Sequence, residues 1–286
     1  MNNRQFRALA KPYVVSDGRR FRLKAFDPAG PGPNASQQGA KKFLKKSVEA
    51  LSELQEKLYA QDRWGVLLIF QAMDAAGKDS AIKHVMSGVD PKGCQVYSFK
   101  APSSEELDHD FMWRTSKSLP ERGRIGIFNR SYYEETLVVR VHPEYLGGQE
   151  ADWEERFDAI TGWERHLHAS GTRVVKFFLN VSEQEQRERF LSRAEEADKN
   201  WKFSAGDVVE RERWDEYQHA FEQAIRATST KHAPWYVIPA DHKWLMRTAV
   251  ASILVHHLEA MDPRFPEPSD EERAAIAEAV ARLRDE

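Results

Sequence analysis

Short apolar runs alternate along this chain with longer stretches in which apolar residues return every third or fourth position. The runs "GVLLIF" (65–70), "CQVYSF" (94–99), "GRIGIFN" (123–129), "RVVKFFLNV" (173–181) and "WYVIPA" (235–240) predict five strands. Most lack the polar alternation of a half-exposed sheet, which suits parallel strands covered on both faces. In "KKFLKKSVEALSELQEKLYAQD", Phe43, Leu44, Val48, Leu51, Leu54 and Leu58 share one face of an amphipathic helix whose lysines face water. Further helices are predicted at "DSAIKHVMSGV" and at "SEELDHDFMWRTSKSLP" as far as Pro120. Three longer ones follow: "ADWEERFDAITGWERHLHAS", "SEQEQRERFLSRAEEADKN" and "GDVVERERWDEYQHAFEQAIRATS". Ser182 with Glu185, and Ser269 with Glu272, have capping-box spacing. Strands separated by helices predict an α/β fold, a parallel sheet flanked by helices, with ligands at the carboxyl ends of the strands.

The expected organisation has three parts. Residues 1–60 hold a basic arm, a linker and the amphipathic helix; 61–262 form the core; 263–286 form a C-terminal helix. The arm carries seven Lys or Arg against one Asp in residues 1–24, and the Pro, Gly and Asn of "FDPAGPGPNASQQGA" predict an extended linker after it.

Composition narrows the function. The formal net charge is only -3, so nothing global points to nucleic acid or an acidic membrane, and a positive field for an anionic ligand must be built locally. The lone Cys94 excludes an intrachain disulfide and a cysteine zinc cluster. No signal-peptide core and no apolar run of membrane-spanning length is present, so a soluble, cytoplasmic protein is expected.

The chemistry begins at "QAMDAAGKDSAIKHVM", where the first strand hands over to its helix. Backbone N–H groups and the helix dipole converge there on any anion. Gly77 permits close approach of phosphate, Lys78 adds a mobile positive charge, and Ala75 and Ala76 keep the turn small. Two positions break the usual phosphate-loop rule. Ala72 replaces the first glycine, and Asp79 replaces the magnesium-binding hydroxyl, although Ser80 follows. Asp74 offers a carboxylate that could hold magnesium instead.

Roughly fifty residues on, the strand "GRIGIFN" ends in Asn129 and Arg130. An acidic residue often stands at such a strand end to hold the metal; here an amide does. Arg130 could clamp phosphate bidentately, or pair with Glu134 or Glu135. Lys100 sits just past its strand, on the ligand edge. His109 and Arg114 lie on the following helix but not on one face, and Asp108, His109 and Asp110 in a row make a poor metal site. Farther along, Arg187, Arg193, Lys199 and Lys202 are interleaved with acids, as on a solvated helix pair. Yet Trp201 and Phe203 lie in the polar connection "KNWKFSAGD", where a lid closing over phosphate would need aromatic anchors and free lysines.

Taken in order, "DAAGKD", "FKAP", "GRIGIFNRSYYEE", "NWKFSAGD" and "WYVIPADHKWLMR" resemble the polyphosphate kinase 2 family over about residues 60 to 255, with "KPYVV" as a weaker element. The resemblance implies a P-loop kinase core of the thymidylate-kinase-like type, with a helical lid at about 183–215. It implies magnesium-dependent phosphoryl transfer between inorganic polyphosphate and AMP or ADP, by a dimer or tetramer. Its phosphate loop falls on Asp74, Ala75, Ala76, Gly77, Lys78 and Asp79, so that Asp79 becomes a regular feature. Asp74, Lys78 and Arg130 would be catalytic, with Asp74 on the metal. Ser80, Lys100 and Asn129 would meet phosphate or nucleotide, with Asp241 and Lys243 from the late loop. Arg193, Lys199 and Lys202 would guide the phosphate chain. Asn129 stands where much of the family has aspartate, and "FNRSYYEE" looks like the subgroup that accepts both AMP and ADP. The leading alternative is an ATP-dependent nucleoside or nucleotide kinase. A regulatory nucleotide-binding module would leave "NWKFSAGD" unexplained.

Overall fold

The structure, a computed structural model, describes residues 3–30, 37–146 and 150–286. Part of the predicted linker, residues 31–36, lies outside the described residues. Six strands form one sheet: β1 (Val14–Val15), β2 (Gly65–Gln71), β3 (Cys94–Ser98), β4 (Ile125–Asn129), β5 (Thr172–Asn180) and β6 (Trp235–Pro239). Their order is β3-β4-β2-β5-β6-β1, parallel except for β1, which pairs antiparallel with β6. Every residue of β2 and β6 is buried, as the unbroken apolar runs require.

The N-terminal arm is laid on the core rather than free. Helix α1 (Asn3–Ala10) packs against α11 (Lys243–Met261), and Phe6, Tyr13, Val15, Phe21 and Leu23 are buried with the sheet. Helix α2 (Gln37–Gln61) packs on the same α11, with Leu51 and Leu58 fully covered. Helix α3 (Lys78–Val85) follows the phosphate loop.

Two predicted helices are interrupted. "SEELDHDFMWRTSKSLP" forms α4 (Ser104–Leu107) and α5 (Trp113–Ser116), because the Asp110 side chain takes the Met112 N–H at 2.9 Å and starts a new turn. Past α6 (Val138–Val141), α7 (Trp153–Ala169) and α8 (Glu183–Glu195), the long stretch after "NWKFSAGD" divides into α9 (Ala205–Glu212) and α10 (Trp214–Thr228). The break falls at Arg213, which leaves helical geometry while its side chain donates to the Val141 carbonyl at 2.6 Å. The Ser269 box is reciprocal at the start of α12 (Asp270–Asp285). That at Ser182 is not: its hydroxyl receives the Glu185 N–H, but its own N–H goes to Asp241 at 2.7 Å, while Glu185 turns to Arg189.

Candidate active site

The phosphate loop, the end of β4 and the segment after β3 meet at the carboxyl edge of the sheet. Phe70 of β2 is in register with Asn129 of β4, and the Arg130 N–H continues the ladder to the Phe70 carbonyl at 3.0 Å. Gly77 takes φ 103, a left-handed conformation in which any Cβ is strained. Ala72, where the motif usually has glycine, stays out of that region. Ala75 enters it instead, at φ 60, and Arg130 does so at φ 64. Two non-glycine residues in left-handed backbone flank the same site, a strain that persists only where the surroundings over-determine it.

For Ala75 the surroundings include Arg189, 8% exposed on α8. One of its terminal nitrogens donates to the Ala75 and Ala76 carbonyls at 3.0 and 2.8 Å. The other donates to Ala240 and Asp241 at 2.6 and 3.0 Å. Gln186 adds a bond from its amide to the Asp74 carbonyl at 2.9 Å. The loop is thus held from behind by a helix more than a hundred residues away in sequence.

In front, charges gather. Lys78 donates to the Ala72 carbonyl at 3.0 Å, and Arg130 reaches the Asp74 carboxylate at 3.2 Å. Glu134 completes the group. Burial pushes its carboxyl up, against the opposing pull of Arg130 and Lys78. Burial also pulls the Lys78 ammonium down, Asp74 opposing and Arg130 adding to it. Arg130 itself is raised: burial is outweighed by Glu134 and Asp74. An anion arriving here would meet cations that are already partly covered, which strengthens the attraction. At the strand end, the Asn129 amide donates to Asp79 at 2.6 Å.

Two openings share Asp74 and Arg130 in their walls. The larger, about 510 Å³, also takes in Gly77, Lys78, Asp79, Ser80, Lys100 and Asn129, with Arg193, Trp201 and Lys202 across from them. The smaller, about 140 Å³, is lined by Glu134, His142, Tyr145, Asp207, Tyr217 and Phe221 among others. The first is rich in cations and the second is mixed apolar and acidic.

The sequence profile of "Polyphosphate kinase 2 (PPK2)" matches residues 34–266. The chain belongs to the polyphosphate kinase 2 family. It is 47% identical to the ADP-polyphosphate phosphotransferase of Rhodopseudomonas palustris, over 96% of this chain and 98% of that one. It is 43% identical to the AMP/ADP-polyphosphate phosphotransferase of Meiothermus ruber, over 94% of this chain and all of the relative. The crystal structure of polyphosphate kinase 2 from Arthrobacter aurescens TC1 superposes with a TM-score of 0.87 at 40% identity, covering 94% of this chain and 96% of that chain. The mostly parallel sheet with its flanking helices is therefore the P-loop kinase fold of this family.

Within that frame, the larger opening gathers most of the residues expected from sequence: Asp74, Ala75, Gly77, Lys78, Asp79, Ser80, Lys100, Asn129, Arg130, Arg193 and Lys202. The others lie elsewhere. Ala76 is fully buried behind the loop, its carbonyl on Arg189. Lys199 pairs with Glu196. Asp241 caps Ser182, and Lys243 is exposed at the start of α11. The Ser80 hydroxyl receives a bond from Arg247 at 2.7 Å. Arg130 pairs with Asp74 rather than with Glu135, which Arg156 holds at 3.1 Å. Arg114 supports the Lys100 carbonyl at 2.8 Å, and His109 stacks on Trp113. Sequence reasoning missed Arg189 and named Glu134 only as a candidate partner of Arg130. The only advance signal for Arg189 was its i,i+4 spacing from Glu185, which surface pairs share.

Proposed function

We propose that this chain transfers phosphoryl groups between inorganic polyphosphate and adenine nucleotides, taking AMP to ADP and ADP to ATP. One observation carries the reading: Lys78, Lys100, Arg130, Arg193 and Lys202 line a single cleft at the phosphate loop. A small acceptor has no use for such a cationic track, whereas a chain of linked phosphates must be neutralised along its length. Polyphosphate would lie in the larger opening, between the loop and a lid built from α8, "NWKFSAGD" and α9. The nucleotide would enter from the smaller opening, its terminal phosphate meeting the polymer at the Asp74–Arg130 wall. The names of the relatives from Rhodopseudomonas palustris and Meiothermus ruber support this substrate pair.

Lys78 and Arg130 would hold the transferring phosphoryl group while the nucleotide's phosphate oxygen attacks in line. That oxygen is already ionised near neutral pH, so positioning and electrostatics should provide most of the rate. Magnesium fits the donor set. Asp74 and Asp79 both border the cleft. Magnesium takes one or two carboxylates, completed by water and substrate phosphates. Asp74, with Asp79 beside it, would hold the ion, which supplies charge neutralisation to the phosphates when bound. Among the described residues no cluster of three or more His, Cys, Asp or Glu side chains forms a metal cage of its own, and none is needed for a cation shared with substrate.

Incubation with ADP, magnesium and polyphosphate, with no ATP added, should yield ATP, and AMP in place of ADP should yield ADP. No ATP from the polymer, together with consumption of supplied ATP, would favour the nucleoside or nucleotide kinase instead. We further place the enzyme in the cytoplasm as a dimer or tetramer, which cell fractionation and sedimentation would test. Among the described residues no helix is long and apolar enough to cross a membrane.

A further inference from the structure

A lysine and a glutamate stand in the middle of the core, and the chemistry above uses neither. Lys176 of β5 and Glu164 of α7 are both fully buried, 2.6 Å apart. Lys176 also donates to the Thr228 carbonyl at 2.8 Å and to the Tyr133 hydroxyl at 3.0 Å. The other Glu164 oxygen accepts from the hydroxyls of Tyr132 and Tyr133, at 3.0 and 2.8 Å. With its one proton on Glu164, the Tyr133 hydroxyl also lies 2.9 Å from the Thr228 hydroxyl, which receives the Trp235 indole N–H. Burial pushes the Glu164 carboxyl up and the Lys176 ammonium down, so the pair is held by its hydrogen bonds wherever the shared proton resides.

Such a pair is a poor way to gain stability, since apolar residues of similar volume often serve as well or better. What it holds is more telling. Tyr132 and Tyr133 lie between Arg130 and Glu134 in sequence, in the tight turn Tyr132–Thr136 that follows β4. Ser131 closes the start of that turn, its side chain accepting the Tyr133 N–H at 3.1 Å and a bond from Gln71. Arg130 has left-handed backbone at φ 64, which a side chain adopts only under outside constraint. The two tyrosine hydroxyls, tied to the buried pair, supply that constraint from one side, as the strand ladder does from the other.

We propose that Lys176 and Glu164 are positioning residues for phosphoryl transfer: through the hydroxyls of Tyr132 and Tyr133 they fix the turn that aims Arg130 and Glu134 at the phosphate loop. The inference rests on the role given to Arg130 above. It differs from a packing role in a measurable way, because its effect on turnover must run through Arg130.

The test is a mutant cycle with Tyr132→Phe/Tyr133→Phe, which keeps both rings and the ion pair but cuts the link between them and the turn. In ATP synthesis from ADP and polyphosphate, kcat should fall about ten- to a hundred-fold while both KM values stay within about three-fold, since misplacement near 1 Å costs on that order. In an Arg130→Lys background, the same pair of changes should cost less than about two-fold, because coupled sites are not additive. An equal loss in both backgrounds, or undiminished kcat in the folded variant, overturns the inference. If Arg130→Lys itself turns over like the wild type, the reading of Arg130 fails instead, and the two failures are separable. Should the double variant not fold, Tyr132→Phe alone removes a single hydrogen bond and is read by the same criteria.

Discussion

Arg189→Met keeps the aliphatic stem of a buried side chain and strips its guanidinium, so it isolates what the clamp behind the phosphate loop contributes. Five hydrogen bonds disappear: those to the carbonyls of Ala75, Ala76, Ala240 and Asp241, and that to the Glu185 carboxylate at 2.8 Å. A buried acceptor left without a donor costs about 1–3 kcal/mol. The four carbonyls do not all incur this, since water can enter from the loop side, and Glu185 can turn to solvent. We therefore expect a loss of about 3–5 kcal/mol, the order of two buried carbonyls left without a donor. Against a typical total of about 5–15 kcal/mol, that brings the variant close to unfolding at physiological temperature. Arg189→Lys restores the charge but at most three of the donors, and should recover about half. Urea unfolding at neutral pH gives both values. The same preparations should show a raised KM for polyphosphate, because Ala75 no longer has help in holding φ 60. A Met variant within about 0.5 kcal/mol of the wild type would refute the clamp, since that is the scatter of substitutions that touch nothing important.

Three further outcomes follow from the site. Lys78→Met should lower kcat about a thousand-fold with little change in melting temperature, the effect of losing a donor aimed at developing charge; wild-type turnover would remove Lys78 from the mechanism. Asn129→Asp places a second carboxylate within hydrogen-bond reach of Asp79, so it should destabilise the protein by about 1–2 kcal/mol without magnesium and less with it; thermal melts with and without the ion would read this. His142 is buried, which lowers its pKa, but Glu210 and Glu144 on its two ring nitrogens raise it further, to a net increase. Its contribution to stability is then fully present below the ordinary histidine pKa and is lost as pH rises through the elevated folded value. His142→Gln should flatten that part of the decline in urea midpoint as pH rises above the ordinary histidine value of about 6.5.

The five strands recognisable in the sequence lie within a residue or two of those observed; in all but the edge strand β3, which is part-exposed, continuous burial demands continuous apolarity. Other elements left no such trace, and two of them show why. Strand β1 has two residues, too few to show a period, and exists because β6 offers an edge. Helix α11 is buried on nearly every side, from Leu245 to Leu258, so it has no polar stripe to reveal its turn. At the site, the loop, Arg130 and Asn129 were legible because a strand end leaves little choice about where they point. Arg189 and the Lys176–Glu164 pair were not. Their meaning lies in bonds such as Arg189 to Ala75, across 114 positions, that no local pattern records. The breaks at Asp110 and Arg213 were hidden for the same kind of reason, each set by a side chain competing with the helix for backbone groups.

Asp74 and Arg130, paired with each other, line both openings, so if polyphosphate and nucleotide take one each, as proposed, they need not share an entrance. On that proposal either would be seated while the other is absent, and transfer would run directly between the two in a ternary complex. The same arrangement would let a long polymer stay threaded while short nucleotides are exchanged on its far side, so that one bound chain would be consumed unit by unit.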